Sequence, residues 1–308
     1  MRVLFAGTPH AAVPSLQALL ASDHDVTCVL TRPDAPSGRG RRLRPSPVAE
    51  LAEGAGVEVW RASSLRDPDS LPRLQGVGAD VAAIVAYGAL VPPQLLGVPQ
   101  LGWVNLHFSL LPAWRGAAPV QHALLAGDAV TGATTFRLDE GLDTGPVLGV
   151  LTEAVRPDDT AGTLLERLSV SGAGLLVATL DALAAGDLVA VEQGTDGVSF
   201  APKLTSADAR LRWSEPALAV QRLVRACTPA PGAWTTVGDS RLKVLVVDLE
   251  PQAEPLAPGE VVVGADSVLV GTGSHPVRLA QVQPSGRQPM PASAWARGAR
   301  LPAGTVLT

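Results

Sequence analysis

The sequence predicts an α/β fold with a doubly wound, mostly parallel sheet, followed by a small β-barrel. The chain opens with an apolar run at 2–7, an amphipathic helix at 13–20 and a second strand at 26–30. This β-α-β order is typical of a parallel sheet covered by helices. After residue 220, short strand-like runs separated by turns indicate a barrel. A chain of 308 residues is long enough for two such domains.

Periodicity and turn signals set the predicted elements along the rest of the chain. In the first domain we expect strands at 57–60, 81–86, 101–104, 134–138 and 146–151, and helices at 121–126 and 164–185. In the second domain we expect a helix at 220–226 and strands at 233–237, 241–249, 260–263, 267–270 and 277–282. Residues 187–206 lack a sustained period and contain Gly194, Gly197 and Pro202, which indicates a linker. The predicted domains are therefore 1–186 and 207–308, joined by 187–206.

Composition narrows the class of protein. Cys28 and Cys227 are too few and too far apart for a disulfide framework or a zinc site, and we expect no metal. No apolar run approaches the roughly 18–20 residues that span a bilayer, and the apolar start is too short for a signal peptide. We expect a cytoplasmic protein without a membrane segment. The net charge is −5, but residues 207–308 have ten Lys and Arg against eight Asp and Glu, a modest hint of a polyanionic partner.

Polar side chains appear abruptly where the apolar run at 101–104 stops. Asn105 and His107 follow it two positions apart, so on an extended backbone both point to one face. Asp143 lies in a glycine-punctuated loop after another strand-like run and could set the charge or tautomer of the histidine. An amide can stabilise an oxyanion, and an imidazole–carboxylate pair can move protons. The three residues therefore predict a catalytic site for acyl transfer.

The loop at 32–47 is rich in arginine. It holds one acid, Asp34, against five arginines, with glycines on both sides of the second: Arg32, Arg39, Arg41, Arg42 and Arg44. Such a loop is often only a solvated basic segment. The alternative is an arginine loop that contacts nucleic-acid phosphates and base edges. By contrast, the Gly-Thr-Pro turn after the first strand lacks the dinucleotide fingerprint, which disfavours a nicotinamide cofactor.

Three segments carry a resemblance to a known family: NLHFSLLP at 105–112, WRGAAPVQ at 114–121 and GLDTG at 141–145. Together they resemble the catalytic core of the 10-formyltetrahydrofolate-dependent formyltransferases, most closely the members that act on initiator methionyl-tRNA. The match extends over nearly the whole chain. It implies a Rossmann-like catalytic domain, an OB-like tRNA-binding domain at 207–308 with a closing segment at 283–290, and 10-formyltetrahydrofolate as formyl donor. Phe108 departs from the small residue frequent in the family.

The resemblance also implies roles for individual residues. Two segments are expected to border the folate, the first largely through backbone groups: Tyr87, Gly88, Ala89 and Leu90, and Ser109, Leu110, Leu111 and Pro112. For any one side chain of the first segment, a plain strand-to-helix turn is nearly as good an interpretation. Arg115 either balances the glutamate of the folate or caps its loop.

The tRNA contacts follow from the same resemblance. The insertion at 33–47 matches the family segment that engages the acceptor stem of the initiator tRNA. Arg39 is expected to reach deepest, with Arg41 and Arg42 beside it, and Lys203 would contact phosphate from the predicted linker. The protein is expected to act as a monomer.

Two rival functions remain at this level. A formyltransferase with another acceptor, such as an amino-sugar nucleotide or a purine precursor, would share the chemistry. The arginine loop and the barrel argue against it. An RNA-binding protein that has lost catalysis would keep the loop and the barrel, and the intact Asn105, His107 and Asp143 argue against that.

Overall fold

The structure is a computed structural model that describes residues 1–37 and 42–308. Contacts between Cα atoms divide it into two compact units. The first unit comprises Met1–Pro119, Val130–Ala154 and Leu165–Phe200. The second comprises Val120–Ala129, Val155–Leu164 and Ala201–Thr308. The predicted domain bounds at residues 186 and 206 stay predictions.

The first 185 residues alternate strands and helices. In chain order the elements are β1 (Arg2–Gly7), a 3-10 turn (His10–Ala12), α1 (Val13–Leu20), β2 (Asp25–Thr31), β3 (Ala35–Ser37), β4 (Arg42–Arg44), α2 (Pro47–Gly54), β5 (Val59–Arg61), α3 (Ser70–Val77), β6 (Val81–Val85), α4 (Pro93–Leu96), β7 (Trp103–His107), α5 (Pro119–Ala126), β8 (Val130–Arg137), β9 (Val147–Ala154) and α6 (Ala161–Ala185).

A seven-stranded sheet in the order β5-β2-β1-β6-β7-β8-β9 forms the centre of the first unit. The pairs from β5 to β7 are parallel, whereas β8 pairs antiparallel with β7 and β9 pairs antiparallel with β8. All residues of β6 and all but one of β1 are buried, as expected for strands covered on both faces. The predicted doubly wound, mostly parallel sheet is confirmed.

Several local predictions differ from the structure. The strand predicted at 101–104 runs from Trp103 to His107, so Asn105 and His107 lie within it rather than after it. Pairing with β8 keeps both polar residues extended, and Asn105 is paired with β6 as well. Helix α2 is absent from the predicted elements, although Ser46 is a clear N-cap whose Oγ accepts a hydrogen bond from Ala49 N at 3.0 Å.

The second unit is built on an antiparallel sheet. It includes most of α5 and the start of α6. Its other elements are α7 (Ala217–Cys227), β10 (Trp234–Val237), β11 (Ser240–Leu249), β12 (Val261–Val263), β13 (Val268–Val270), β14 (Val277–Pro284), β15 (Met290–Pro291) and α8 (Ala292–Ala299). The sheet order is β10-β11-β14-β13-β12, with β15 paired to β14. The two-residue hairpin at Gly238-Asp239 connects β10 and β11, as predicted.

Residues 305–308 join the two outer strands of this sheet. Thr236 N donates to Thr308 O at 2.8 Å on the β10 side, and Val261 N donates to Thr305 O at 3.0 Å on the β12 side. A single short segment therefore bridges both ends of the strand order, and the five-strand path becomes barrel-like. Its interior is apolar and fully buried at Val244, Val268 and Val282. This confirms the predicted small β domain.

Helix α6 is long and apolar enough to cross a membrane by length and composition alone, with a mean hydropathy of 1.7 in its best window. A single helix of this kind is weak support for a membrane protein, because a core helix passes the same test. Leu168, Leu176 and Leu180 are fully buried. We therefore interpret α6 as a core helix, and the expectation of no membrane segment stays a prediction.

Close packing of β8 against β9 gives a stability prediction. A methyl group at Gly132 would overlap the carbonyl oxygen of Leu151, whereas one at exposed Gly174 in α6 would meet nothing within 4 Å. We expect Gly132→Ala to lower the free energy of unfolding by about 1–3 kcal/mol. Gly174→Ala is the matched control and should be neutral or stabilising by up to about 1 kcal/mol. Thermal unfolding checks both, and an unchanged Gly132→Ala would contradict this packing.

Candidate active site

The interior strand β7 carries two of the three predicted catalytic residues. Asn105 lies between Ile84 of β6 and Phe136 of β8, and His107 lies beside Thr134 of β8. Because side chains alternate along a strand, Asn105 and His107 face the same side of the sheet. Asn105 is thus held by strands on both edges, and His107 is held by β8.

The imidazole of His107 is buried, with only 7% of the residue exposed, and is oriented from two sides. Nε2 is 2.9 Å from Trp114 O, and since a carbonyl oxygen only accepts, Nε2 carries the proton. Nδ1 lies 3.8 Å from Asp143 Oδ2. In the neutral ring Nδ1 therefore keeps its lone pair, and it would face the carboxylate once protonated. An edge of the ring also contacts Phe136, with centroids 6.4 Å apart.

Burial lowers the pKa of His107 below its ordinary value of 6.5, and the Asp143 carboxylate and Trp114 carbonyl only partly oppose this effect. The imidazole is thus neutral near pH 7 and able to accept a proton. The nearby carboxylate would stabilise the imidazolium formed. This is the arrangement of a general base with an orienting acid.

Asp143 reaches His107 from a tightly braced loop. β8 runs antiparallel to β7, and Arg137 at its end pairs with Val104, three residues before His107. The loop at 138–146 therefore has to return along about 10 Å of β7 to bring Asp143 to the imidazole. Asp143 has a left-handed backbone with φ 52°, and its Oδ2 accepts a hydrogen bond from Gly116 N at 2.7 Å.

The start of the same loop is braced by Asp139. Its carboxylate accepts hydrogen bonds from Gly141 N and from Thr144 Oγ1, the latter at 2.7 and 2.8 Å. Gly145 packs so closely on Arg137 that a methyl group would overlap the Arg137 carbonyl oxygen. Sequence reasoning found the glycines but not these contacts.

The carboxamide of Asn105 has no hydrogen-bond partner within residues 1–37 and 42–308, and the residue is partly exposed. A polar group at this position that makes no bond to the protein is available to a bound molecule. Asn105, His107 and Asp143 thus combine an available donor with a buried base and its carboxylate. The structure brings all three predicted catalytic residues onto β7 and the adjoining loop.

The first predicted folate segment follows β6. Tyr87 is almost fully buried, and its hydroxyl donates to Ala62 O at 3.1 Å. Burial raises the pKa of this hydroxyl to about 12. Gly88 has φ 85°, Ala89 is partly exposed and Leu90 is 73% exposed. Only the later part of the segment presents side chains to solvent, while Tyr87 is a core residue.

The second predicted folate segment follows β7. Ser109 is fully buried, and its hydroxyl donates to Ala113 O at 2.6 Å. Thr134 Oγ1 donates to Ser109 O at 2.7 Å and accepts from Leu111 N at 3.2 Å. Leu110 and Pro112 are partly exposed. Since β6 and β7 are parallel neighbours, both predicted segments leave the same edge of the sheet, where α/β proteins bind ligands.

The predicted tRNA contacts are described only in part. Arg39 and Arg41 lie outside the described residues. Arg42 is exposed at the start of β4, where it pairs with Ser37 of β3. Lys203 is exposed in the second unit. No role is tested for any of the four.

Sequence reasoning missed Gln193, which lies in the predicted linker. Its Nε2 donates to Asp143 O and to Gly145 O, both at 2.8 Å. Its Oε1 accepts from Arg115 Nε at 3.2 Å and from Arg115 Nη2 at 2.6 Å. No local pattern around Gln193 marks this contact.

A metal centre is not apparent in the part of the chain that the structure describes. Residues 1–37 and 42–308 contain no group of three or more His, Cys, Asp or Glu side chains that could hold a metal ion. Cys28 and Cys227 are free and buried, and burial raises the pKa of each thiol to about 11. Neither thiol is reactive at neutral pH.

Comparison with known proteins places this site in a family. Residues 1–180 match the family model "Formyl transferase", and residues 203–300 match "Formyl transferase, C-terminal domain". The methionyl-tRNA formyltransferase of Streptomyces coelicolor is 59% identical over 305 residues, covering 99% of this chain and 98% of its own. The methionyl-tRNA formyltransferase of Salinispora tropica is 59% identical over 307 residues, covering all of both chains.

A solved structure supports the fold independently. A variant of HypX from Aquifex aeolicus has a TM-score of 0.68 at 19% identity, covering 98% of this chain and 48% of its own. At that identity the likeness concerns the fold alone. The family matches span both predicted domains, and the resemblance first seen at 105–145 is confirmed. The chain belongs to the formyl transferase family.

Proposed function

We propose that this protein transfers the formyl group of 10-formyltetrahydrofolate to the α-amino group of initiator methionyl-tRNA, giving N-formylmethionyl-tRNA for translation initiation. The observation that carries the proposal is the neutral, buried His107 with a carboxylate at its Nδ1, on the same strand face as the Asn105 amide that has no partner among the described residues. The named relatives, 59% identical over nearly full length, favour methionyl-tRNA over other acceptors.

The chain's own groups fit a folate formyl donor. Asn105 lies on β7 and the exposed Leu90 follows β6, and the carboxyl ends of these two strands meet at one edge of the sheet. When bound there, the donor supplies an activated formyl carbon. Asn105 would donate a hydrogen bond to the formyl oxygen as the attacking amine makes it an oxyanion. The new bond joins the amine nitrogen to the formyl carbon, and the bond from that carbon to N10 breaks.

His107 would carry the proton between the two nitrogens. Its Nδ1 takes a proton from the attacking amine, and Asp143 stabilises the resulting imidazolium across 3.8 Å. The same nitrogen then returns the proton to N10, directly or through water, as the folate departs. Every proton is thus accounted for without a metal, and His107 ends the cycle neutral.

The acceptor would be held largely through phosphates. Arg39, Arg41 and Arg42 would supply charge from the sequence segment at 33–47, and Lys203 would supply charge from the second unit. We expect the second unit to contact backbone more than bases, as part of a monomeric, cytoplasmic enzyme. These assignments rest on the family resemblance and on residue type.

The catalytic assignment predicts a large loss of rate without unfolding. His107→Ala, Asn105→Ala and Asn105→Asp, which keeps the shape but removes the donor, should each lower kcat by about 10²–10⁴-fold. His275→Ala, in the second unit, is the control and should keep wild-type kcat. Formylation of charged initiator tRNA measures the rate, and circular dichroism checks folding. Near-normal turnover of a folded Asn105 or His107 variant would contradict the assignment.

The lowered pKa of His107 predicts how kcat falls at acidic pH. The base is active when neutral, so kcat should fall as the pH drops through a His107-dependent value below 6.5. Asp143 raises this pKa, so Asp143→Asn should move this fall in kcat to lower pH while reducing the plateau. The substrate amine titrates in the same way for both proteins, so a difference between the kcat–pH profiles of the wild type and Asp143→Asn reports on His107. A fall in kcat that moves to higher pH in Asp143→Asn would overturn the pairing.

The arginine loop predicts a binding defect and not a chemical one. Arg39→Ala and Arg42→Ala should raise KM for tRNA by about tenfold, with the KM for folate unchanged. Each lost phosphate contact should reduce the salt slope of binding by about 1. Arg66→Ala, an exposed arginine outside the loop, serves as the charge-matched control. If the protein formylated another acceptor and not tRNA, the formyl-transfer chemistry would stand and the proposed tRNA substrate would be wrong.

A further inference from the structure

Two loops that set the imidazole of His107 are joined by one pair of side chains. We call Arg115 and Gln193 the clamp. The Gln193 carboxamide uses both ends: Nε2 donates to the carbonyls of Asp143 and Gly145, and Oε1 accepts twice from the Arg115 guanidinium. Four hydrogen bonds therefore meet at a single side chain, all within the first unit.

The clamp is connected to His107 through two segments, one at Arg115 and one at Asp143. On one side, Arg115 stands between Trp114, whose carbonyl accepts from His107 Nε2, and Gly116, whose amide donates to Asp143 Oδ2. On the other side, the bond to Asp143 O fixes the backbone that carries the carboxylate facing His107 Nδ1. A change at Gln193 thus reaches both ring nitrogens.

The backbone at both ends is in a conformation that needs support. Trp114 has φ 61° and Asp143 has φ 52°, in the left-handed region that side chains with a Cβ disfavour. Such residues persist where the surroundings over-determine them. Further support comes from 199–200, where Arg115 N donates to Ser199 O at 2.9 Å. The stretch at 187–200 therefore braces the site.

We propose that Gln193 is a positioning residue for catalysis, which holds the Asp143 carboxylate at His107 by clamping Arg115 to the Asp143–Gly145 backbone. The proposal rests on the proposed function insofar as formyl transfer is the rate that it affects. Arg115 was expected either to balance the glutamate of the folate or to cap its loop. The proposal gives it the loop-capping role, because its Nε and Nη2 donate to Gln193. Gln193 and Arg115 are only partly buried and lie outside the packed core, so variants should fold.

A double-mutant cycle separates positioning from general damage. Gln193→Ala should lower kcat by about 10–100-fold, because a shift of about 1 Å at the reacting groups has that scale of effect, while both KM values stay within about twofold. If Gln193 acts through Asp143, then Gln193→Ala should cost at most about twofold more in the Asp143→Asn background. Full multiplication of the two losses would overturn the proposal.

Two further variants test which bonds matter. Gln193→Glu keeps an acceptor for Arg115 but loses both donors and sets a negative charge against two carbonyl oxygens. It should therefore be as slow as Gln193→Ala, and wild-type activity would overturn the proposal. Glu192→Ala removes the exposed neighbouring side chain and should keep wild-type activity. A loss at Glu192 equal to that at Gln193 would likewise count against a specific clamp.

A readout without substrate keeps this proposal separate from the proposed function. Hydrogen exchange of the Gly116 amide, which donates to Asp143 Oδ2, reports the closed arrangement directly. It should quicken at least about fivefold in Gln193→Ala and stay unchanged in Glu192→Ala. Unchanged exchange in Gln193→Ala would overturn the clamp whatever the reaction is. Absence of formyl transfer by the wild type would instead overturn the proposed function.

Discussion

Burial of an ionisable imidazole on an interior strand is the constraint on which the site depends. Removing His107 from water disfavours its charged form, which leaves the ring neutral near pH 7, and the carboxylate 3.8 Å from Nδ1 stabilises the imidazolium once the ring takes a proton. The strand holds the ring, but not the carboxylate. Asp143 comes from a loop that begins at the far end of β7, and its position depends on hydrogen bonds to Gly116 and Gln193.

The sheet, two of the catalytic residues and the hairpin could be predicted from the sequence because each depends on a short-range pattern. Continuous apolar runs such as β1 and β6 show that a strand is buried on both faces, and the β-α-β order then indicates the parallel sheet. Asn105 and His107 stand out because two polar residues interrupt such a run with a spacing of two. The hairpin at Gly238-Asp239 is equally local, since two residues suffice to specify the turn.

The rest depends on contacts between distant segments, which no local pattern records. The reversal of β8 relative to β7 cannot be read from the composition of β8, yet it decides how far the Asp143 loop has to travel. Gln193 was hidden for the same reason. It lies in a stretch without periodicity, which resembles a linker, and its partners are 78 and 50 positions away. The burial of the Tyr87 ring is likewise not visible in the local sequence, which only places the residue next to a strand end.

The closure of the second unit by residues 305–308 limits how that unit can recognise anything. An open sheet edge offers a row of backbone donors and acceptors to which a peptide can add as a further strand. Here both β10 and β12 are already hydrogen-bonded to Thr305 and Thr308 at their outer sides. Strand addition at those positions would first have to displace this segment. At these two edges, any partner of the second unit would therefore have to be contacted in another way than by an added strand.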